Sequence, residues 1–208
     1  MAGVTVVDYG IGNIHSVVKA LKHVGASVIL TADPDEVTSA ARLVVPGVGA
    51  FADGMAKLRD RHLDKAVIDH AASGKPLLGI CLGMQMLLSQ SSEFGNHAGL
   101  DIISGSVIPL VPRDGVKVPQ IGWNAMYPVG ETTWTHPYLR GLPPDPMVYF
   151  VHSYTAAPTN EKDRLADADY GGQRVSAAIA RDNVVGFQFH PEKSGQLGLD
   201  ILSRFLRS

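Results

Sequence analysis

A short apolar run, Lys75-Pro76-Leu77-Leu78-Gly79-Ile80, meets a Gly-x-Cys-x-Gly corner at Gly79-Ile80-Cys81-Leu82-Gly83. Met84, Met86, Leu87 and Leu88 then follow at a spacing that suits a helix better than a strand. A chain that passes from strand to helix on one residue is tightly constrained. Side chains two before and two after the corner would collide with neighbouring backbone, and Gly79 and Gly83 occupy those two positions. Glycine inside an element is unfavourable unless geometry requires it, so the corner reads as a nucleophile elbow with Cys81 at its tip. N–H groups at the start of the following helix favour a thiolate. The N–H of Leu82 faces any oxyanion formed on a carbon that Cys81 attacks. The alternative is a small buried thiol packed between sheet and helix.

The 208 residues suit one domain, 1–208, burying about two-thirds of its unfolded surface. Lys and Arg number 18 against 20 Asp and Glu, with no basic stripe or acidic tail, which argues against nucleic acid and anionic membranes as partners. Small molecules and proteins remain, and no cofactor or metal is expected. The single cysteine excludes an internal disulfide framework and fits a reducing compartment. Residues 1–7 carry no basic leader, and the longest apolar stretch, 76–88, is too short and glycine-rich to span a bilayer. The expected location is the cytoplasm.

The first half alternates strands and helices. Residues 4–7 read as a strand, 13–24 as a helix, 27–30 as a strand after the Gly25 stop, 34–41 as a helix and 43–45 as a strand. Pro46-Gly47-Val48-Gly49 forces a turn, and 51–73 reads as helical with a break near 60–63. Such units predict an α/β fold with a mostly parallel central sheet flanked by helices. Sites in these sheets lie at the carboxyl ends of the strands. Gly10-Ile11-Gly12-Asn13, the 46–49 turn and Cys81 should therefore share one rim. After Gln90, Gly and Pro become frequent, and β-rich pieces at 106–110, 148–154 and 177–179 predict a mixed or antiparallel extension. A last helix, 198–206, should pack Leu199, Leu202, Phe205 and Leu206 on the sheet.

A thiolate needs a base, and the base needs a group that fixes its tautomer. His15, His23, His62, His70, His97 and His136 lie in helical or loop contexts without a companion acid, so they read as solvated surface. His190 differs, because it ends the apolar run at 184–189 and precedes Pro191-Glu192. A residue before proline is pushed to extended backbone, where positions i and i+2 face one side. His190 and Glu192 should then point together, the carboxylate accepting the Nδ1 proton and leaving Nε2 for the thiol. A structural histidine and acid is the alternative. The glycines of the 46–49 turn can converge backbone N–H groups on an anion, which would supply a second oxyanion donor; a plain strand-to-helix loop is the other reading.

Together, Gly79-Ile80-Cys81-Leu82-Gly83-Met84-Gln85, Pro46-Gly47-Val48-Gly49 and Phe187-Gln188-Phe189-His190-Pro191-Glu192 resemble the three signatures of the class I glutamine amidotransferases. Asp8-Tyr9-Gly10-Ile11-Gly12-Asn13, Pro119-Gln120-Ile121-Gly122-Trp123-Asn124 and Tyr149-Phe150-Val151-His152-Ser153-Tyr154 are similar to segments of the glutaminase subunits of imidazole glycerol phosphate synthase. The resemblance implies glutamine hydrolysis through a thioester on Cys81, with His190 as base, Glu192 as its orienting acid, and Val48, Gly49 and Leu82 around the oxyanion hole. It implies glutamine binding by Gln85 and Glu93 with backbone at Gly49, Ser153 and Tyr154. It further implies delivery of ammonia to a (β/α)8 cyclase subunit that makes imidazole glycerol phosphate and an aminoimidazole carboxamide ribonucleotide in histidine biosynthesis. Asn13, Trp123 and Lys193 become candidate contacts with that subunit; a helix N-cap, a partly buried aromatic and a solvated lysine are their simpler readings. A glutaminase serving anthranilate or aminodeoxychorismate synthase is the competing assignment. The 111–116 and 141–146 segments match no signature.

Overall fold

The structure is a computed structural model that describes residues 2–130 and 133–208. It begins with β1 (Ala2–Val7), α1 (Ile14–His23), β2 (Ala26–Thr31), α2 (Pro34–Ser39), β3 (Leu43–Gly47), α3 (Phe51–Asp60), α4 (Leu63–Ala72), β4 (Leu77–Cys81) and α5 (Leu82–Met86). Local chemistry sets many of these bounds. Asp33 caps α2 by accepting the Asp35 N–H at 2.9 Å, with Pro34 at the first helical position and Asp35 and Glu36 in the first turn. α1 stops where Gly25 takes φ +92°. α3 and α4 are separate helices, divided at His62, whose φ is +56°.

The second half is β-rich: β5 (Leu88–Ser91), β6 (His97–Ala98), β7 (Ile103–Pro109), β8 (Gln120–Ala125), β9 (Tyr127–Pro128), β10 (Met147–His152), β11 (Tyr154–Pro158), β12 (Arg164–Tyr170), β13 (Gln173–Arg181) and β14 (Val184–Phe187), before α6 (Gly195–Leu206). The main sheet has the order β2-β1-β3-β4-β14-β13-β12-β9. Its pairs are parallel from β2 through β14 and antiparallel from β14 through β9. A second sheet, β11-β7-β5-β6, and a ribbon of β10 with β8 form the extension. The predicted fold class is therefore the observed one.

Both faces of the parallel strands are covered, so their side chains alternate between two cores. Leu78 and Ile80 of β4 and Val44 of β3 join α1 and α6 through Leu21, Ile201, Leu202 and Phe205. Leu77, Leu43 and Val45 face the other way, toward Met55, Leu58 and Val67 of α3 and α4. Each such side chain contributes about 1.5–3 kcal/mol on burial.

Several details depart from the sequence reading. The helix after Cys81 has only five residues, because the chain is drawn into the second sheet, where the N–H groups of Ile102 and Ile103 both donate to the Leu87 carbonyl at 3.0 Å. The predicted strand over 148–154 breaks at Ser153 into β10 and β11. His70 is not at the surface. It is fully buried, with Nε2 3.2 Å from the Pro76 carbonyl, and burial lowers its pKa. In α6, Leu202, Phe205 and Leu206 are buried as expected, whereas Leu199 is only partly covered and Ile201 takes its place.

Candidate active site

Cys81 ends β4 and caps α5 with φ +54° and ψ −110°, a region that residues with a Cβ rarely enter. Such strain is on the order of 1–3 kcal/mol and persists only where surroundings over-determine it. They do so here through missing side chains. A Cβ on Gly79 would stand 2.8 Å from the backbone of Met84, and one on Gly83 would overlap the Val45 carbonyl oxygen. The helix is thus pressed onto β3 and β4, and Cys81 is lifted to the rim while remaining 6% exposed.

The parallel register sets Gly47, at the end of β3, beside Cys81. Gly47 is itself enclosed: a Cβ there would meet the Tyr9 hydroxyl and stand 2.9 Å from Leu82 Cβ. The Tyr9 hydroxyl donates to the Pro46 carbonyl at 2.6 Å. Gly12 closes on the same turn, since its Cβ would lie 3.9 Å from the Gly47 Cα. The three rim segments expected from strand ends therefore do meet.

His190 arrives from β14, on the other side of β4. Its backbone is extended, but Pro191–Lys193 form a 3-10 turn rather than continuing the strand. The turn, not a flat i to i+2 relation, brings Glu192 Oε1 to 2.8 Å from His190 Nδ1. Both side chains are almost fully buried. Burial alone would depress the imidazole pKa; hydrogen bonding to Cys81 and then Glu192, reinforced by their charges, outweighs it and raises His190 to about 9. The imidazolium is favoured beside Cys81.

The ribbon of β8 and β10 forms the facing wall. It is stitched to the histidine segment by His190 N–H to the Tyr149 carbonyl at 2.9 Å, by Tyr149 N–H to Ser194 Oγ at 3.0 Å and by Ser194 Oγ to the His190 carbonyl at 2.7 Å. Between the walls lies a cavity of about 300 Å³, reached by Cys81, His190, Val48, Gly49, Leu82, Gln85, Glu93, Ser153, Tyr154 and Lys193. That volume is at the small end of ligand pockets.

Gln85 is buried, and Nε2 donates to the Tyr154 carbonyl at 3.1 Å and to Gln188 Oε1 at 3.0 Å. Gln188 Nε2 in turn donates to Cys81 Sγ at 3.8 Å, and the thiol points to the Val151 carbonyl at 3.7 Å. Glu93 does more than line the cavity, because its Oε2 accepts the Phe51 N–H at 2.5 Å, at the start of α3. Trp123 is 52% exposed and packs edge-on against Tyr149 at 5.9 Å; Lys193 Nζ sits 6.0 Å from the same Tyr149 ring. Asn13 stands at the start of α1, but its Oδ1 accepts from Ser16 Oγ at 2.9 Å instead of capping a backbone N–H.

Two side chains in the quoted motifs were not singled out from sequence. Gln188 carries a polar group inward from the 187–192 segment. His152 is the second histidine of the cavity. Its Nδ1 lies 2.8 Å from the Tyr154 carbonyl, which can only accept, so Nδ1 holds the proton. Burial first, then the nearby charge of His190, lowers its pKa to about 4, although the Tyr154 bond opposes them. The signal for both was a polar residue set in or ending an apolar run, Gln188 between Phe187 and Phe189 and His152 after Val148 to Val151.

The family described as glutamine amidotransferase class-I matches residues 5–208. Imidazole glycerol phosphate synthase subunit HisH 1 of Legionella pneumophila (strain Paris) is 51% identical over 213 residues, covering 100% of both chains. Subunit HisH of Wolinella succinogenes is 47% identical over 205 residues, with 97% of this chain and 98% of that protein covered. Among solved structures, PurLQS from Thermotoga maritima aligns with a TM-score of 0.76 at 18% identity, over 100% of this chain and 99% of that one. A glutamine amidotransferase from Thermotoga maritima aligns with a TM-score of 0.61 at 18% identity, over 92% of this chain and 76% of that one. These structural likenesses speak for the fold alone.

Proposed function

The chain belongs to the class I glutamine amidotransferases, among the HisH subunits of imidazole glycerol phosphate synthase, and we propose that it hydrolyses glutamine through a cysteinyl thioester on Cys81 and hands the ammonia to a (β/α)8 cyclase subunit. It is a glutaminase component of histidine biosynthesis. Relatives at 45–51% identity that carry the HisH name favour this over a chorismate-using partner. The observation that carries the mechanism is the meeting of Cys81 and His190 at one cavity, with Cys81 on strained, glycine-packed backbone and Glu192 buried behind His190.

In this reading Cys81 attacks the side-chain amide carbon of glutamine. The oxyanion is held by the Leu82 N–H and by a donor from Val48 or Gly49. His190 gives a proton to the departing ammonia and then takes one from the water that releases glutamate, while Glu192 keeps its tautomer. Gln85 spends its N–H donors on Tyr154 and Gln188, so it shapes the pocket and leaves only its carbonyl for substrate. Glu93 keeps a carboxylate oxygen for the glutamine ammonium. The Tyr154 carbonyl is occupied by Gln85 and His152, and the Ser153 carbonyl by Leu110 N–H at 2.8 Å. Their contribution to binding falls to backbone N–H groups.

The cyclase contact is supported by the outward face of the ribbon. Ile121, Trp123 and Met147 are 62%, 52% and 47% exposed and share one face of the ribbon with Tyr149, whose ring lies against Lys193 of the cavity lining. Large apolar side chains gathered at one edge mark a protein interface. Asn13 belongs to the same proposed contact through the rim it shares with the 46–49 turn. One domain, 1–208, and a cytoplasmic location complete the proposal; no helix among the described residues is long and apolar enough to cross a membrane. The test is glutamate release with and without the cyclase subunit and its nucleotide ligand. Release that rises with both supports the proposal, and absence of glutamine hydrolysis in the assembled complex overturns it.

A further inference from the structure

The 46–50 turn is held at its two ends by two different side chains. At the first end, Tyr9 is fully buried and its hydroxyl donates to the Pro46 carbonyl at 2.6 Å. Burial, and next the charge of Cys81, raise the Tyr9 pKa, so the hydroxyl stays a donor. Gly47 is wedged against Tyr9 and Leu82 with no room for a side chain. At the other end, Glu93 Oε2 accepts the Phe51 N–H at 2.5 Å. Glu93 is in turn oriented by its own N–H, which donates to Ser91 Oγ at 3.1 Å. Between these buried ends Gly49 is exposed, with φ +102°. The segment that must present an oxyanion donor is therefore a short crown between two fixed points.

We infer that Tyr9 and Glu93 are positioning residues that clamp this crown, and that Glu93 links the filling of the glutamine ammonium subsite to the orientation of the Val48 and Gly49 backbone. The link rests on the functional reading above, since it takes Glu93 as the partner of the substrate ammonium. Glu93 has two oxygens: Oε2 holds Phe51, and Oε1 is left to meet a cation in the cavity. A substrate ammonium on Oε1 restrains the carboxylate, which restrains the Phe51 N–H and with it the crown. A carboxylate at the first turn of α3 also gains from the helix dipole. Neither residue touches the reacting atoms through these bonds; each acts on the turn.

Tyr9→Phe removes one hydroxyl from a buried ring. In the complex with the cyclase subunit and its nucleotide, it is expected to lower kcat for glutamine about fivefold to tenfold while leaving KM within about twofold. Glu93 is separated from its substrate role with glutaramate, the glutamine analogue that lacks the α-ammonium. On glutaramate, Glu93→Ala should be several-fold slower than the native chain, and Glu93→Gln, which keeps an oxygen for the Phe51 N–H, should recover most of that loss. On glutamine, both should show raised KM. Equal rates on glutaramate for the native chain and Glu93→Ala overturn the clamp.

Hydrogen exchange reads the clamp without any turnover. The 48–51 amides should exchange about tenfold faster in Tyr9→Phe and in Glu93→Ala, with the β4 amides unchanged. Unaltered exchange in 48–51 overturns the inference even if activity falls. A native complex that does not hydrolyse glutamine would instead sink the functional reading and leave the exchange result standing.

Discussion

The two walls of the cavity are built on opposite principles. On the wall made by the ends of β3 and β4, Cys81 sits in strained backbone, and Gly47, Gly79 and Gly83 are fixed by contacts that leave no space for a methyl group. On the wall made by β8 and β10, position is kept by the hydrogen bonds that tie Tyr149 to His190 and to the Ser194 side chain, and its outer face is apolar and exposed. The first wall is rigid because packing forbids alternatives. The second can exchange side chains, which suits the protein contact proposed for it. Sequence constraint and chemical precision thus concentrate where the backbone is crowded.

The largest effect expected is from loss of the proposed nucleophile. Cys81→Ala should cut glutamate release by about 10⁴-fold or more while leaving the thermal transition close to that of the native chain; stopped assays of glutamate read the first and calorimetry the second. Gly83→Ala adds one methyl against the Val45 carbonyl. It should cost about a hundredfold in kcat and lower Tm by several degrees, since overpacking costs about 1–3 kcal/mol. A Gly83→Ala protein with native rate and melting temperature would break the distinction between the walls.

Glu192→Gln should cost less than Cys81→Ala and should change the pH profile. The His190 pKa is raised from 6.5 to about 9 in the fold. Protonation of His190 therefore stabilises the fold fully below about pH 6.5, and that contribution is lost as pH rises through about 9. Without the Glu192 charge, burial gains ground and the pKa falls, so the alkaline limb of both stability and kcat/KM should move to lower pH. Melting curves across pH 6 to 10 would check it. On the other wall, Trp123→Ala should weaken assembly with the cyclase subunit by about tenfold or more and change the partner-free rate least of the series. Titration calorimetry of the two subunits measures the first.

The crowded wall was also the more legible one. Local signals fix β1 to β4: short continuous apolar runs, the Pro34 start of α2, the Gly25 stop and the glycine pair around Cys81 all concern residues near one another in the chain. The β-rich half hides its strands for physical reasons. β12 reads as polar because Arg164 and Asp167 lie in it, yet they are buried and paired with each other. β8 inverts the usual pattern, turning Gln120 inward and Ile121 and Trp123 outward. α5 is cut short by pairing with residues far along the chain, which no local periodicity records. At the site, the residue types and strand-end placement of Cys81, His190 and Glu192 could be read from sequence. The bond from Glu93 to Phe51 spans 42 positions and could not. Nor could the burial that sets His152 neutral beside a charged His190.

In the proposed mechanism the crowded wall holds one reactive thiol. That role can be read by treating the assembled complex with a glutamine-analogue electrophile, then mapping the modified peptides while following glutaminase activity. A single adduct is expected, on Cys81, accumulating in step with loss of activity and slowed by added glutamine. Inactivation with the adduct elsewhere, or full activity after Cys81 is completely modified, would contradict it.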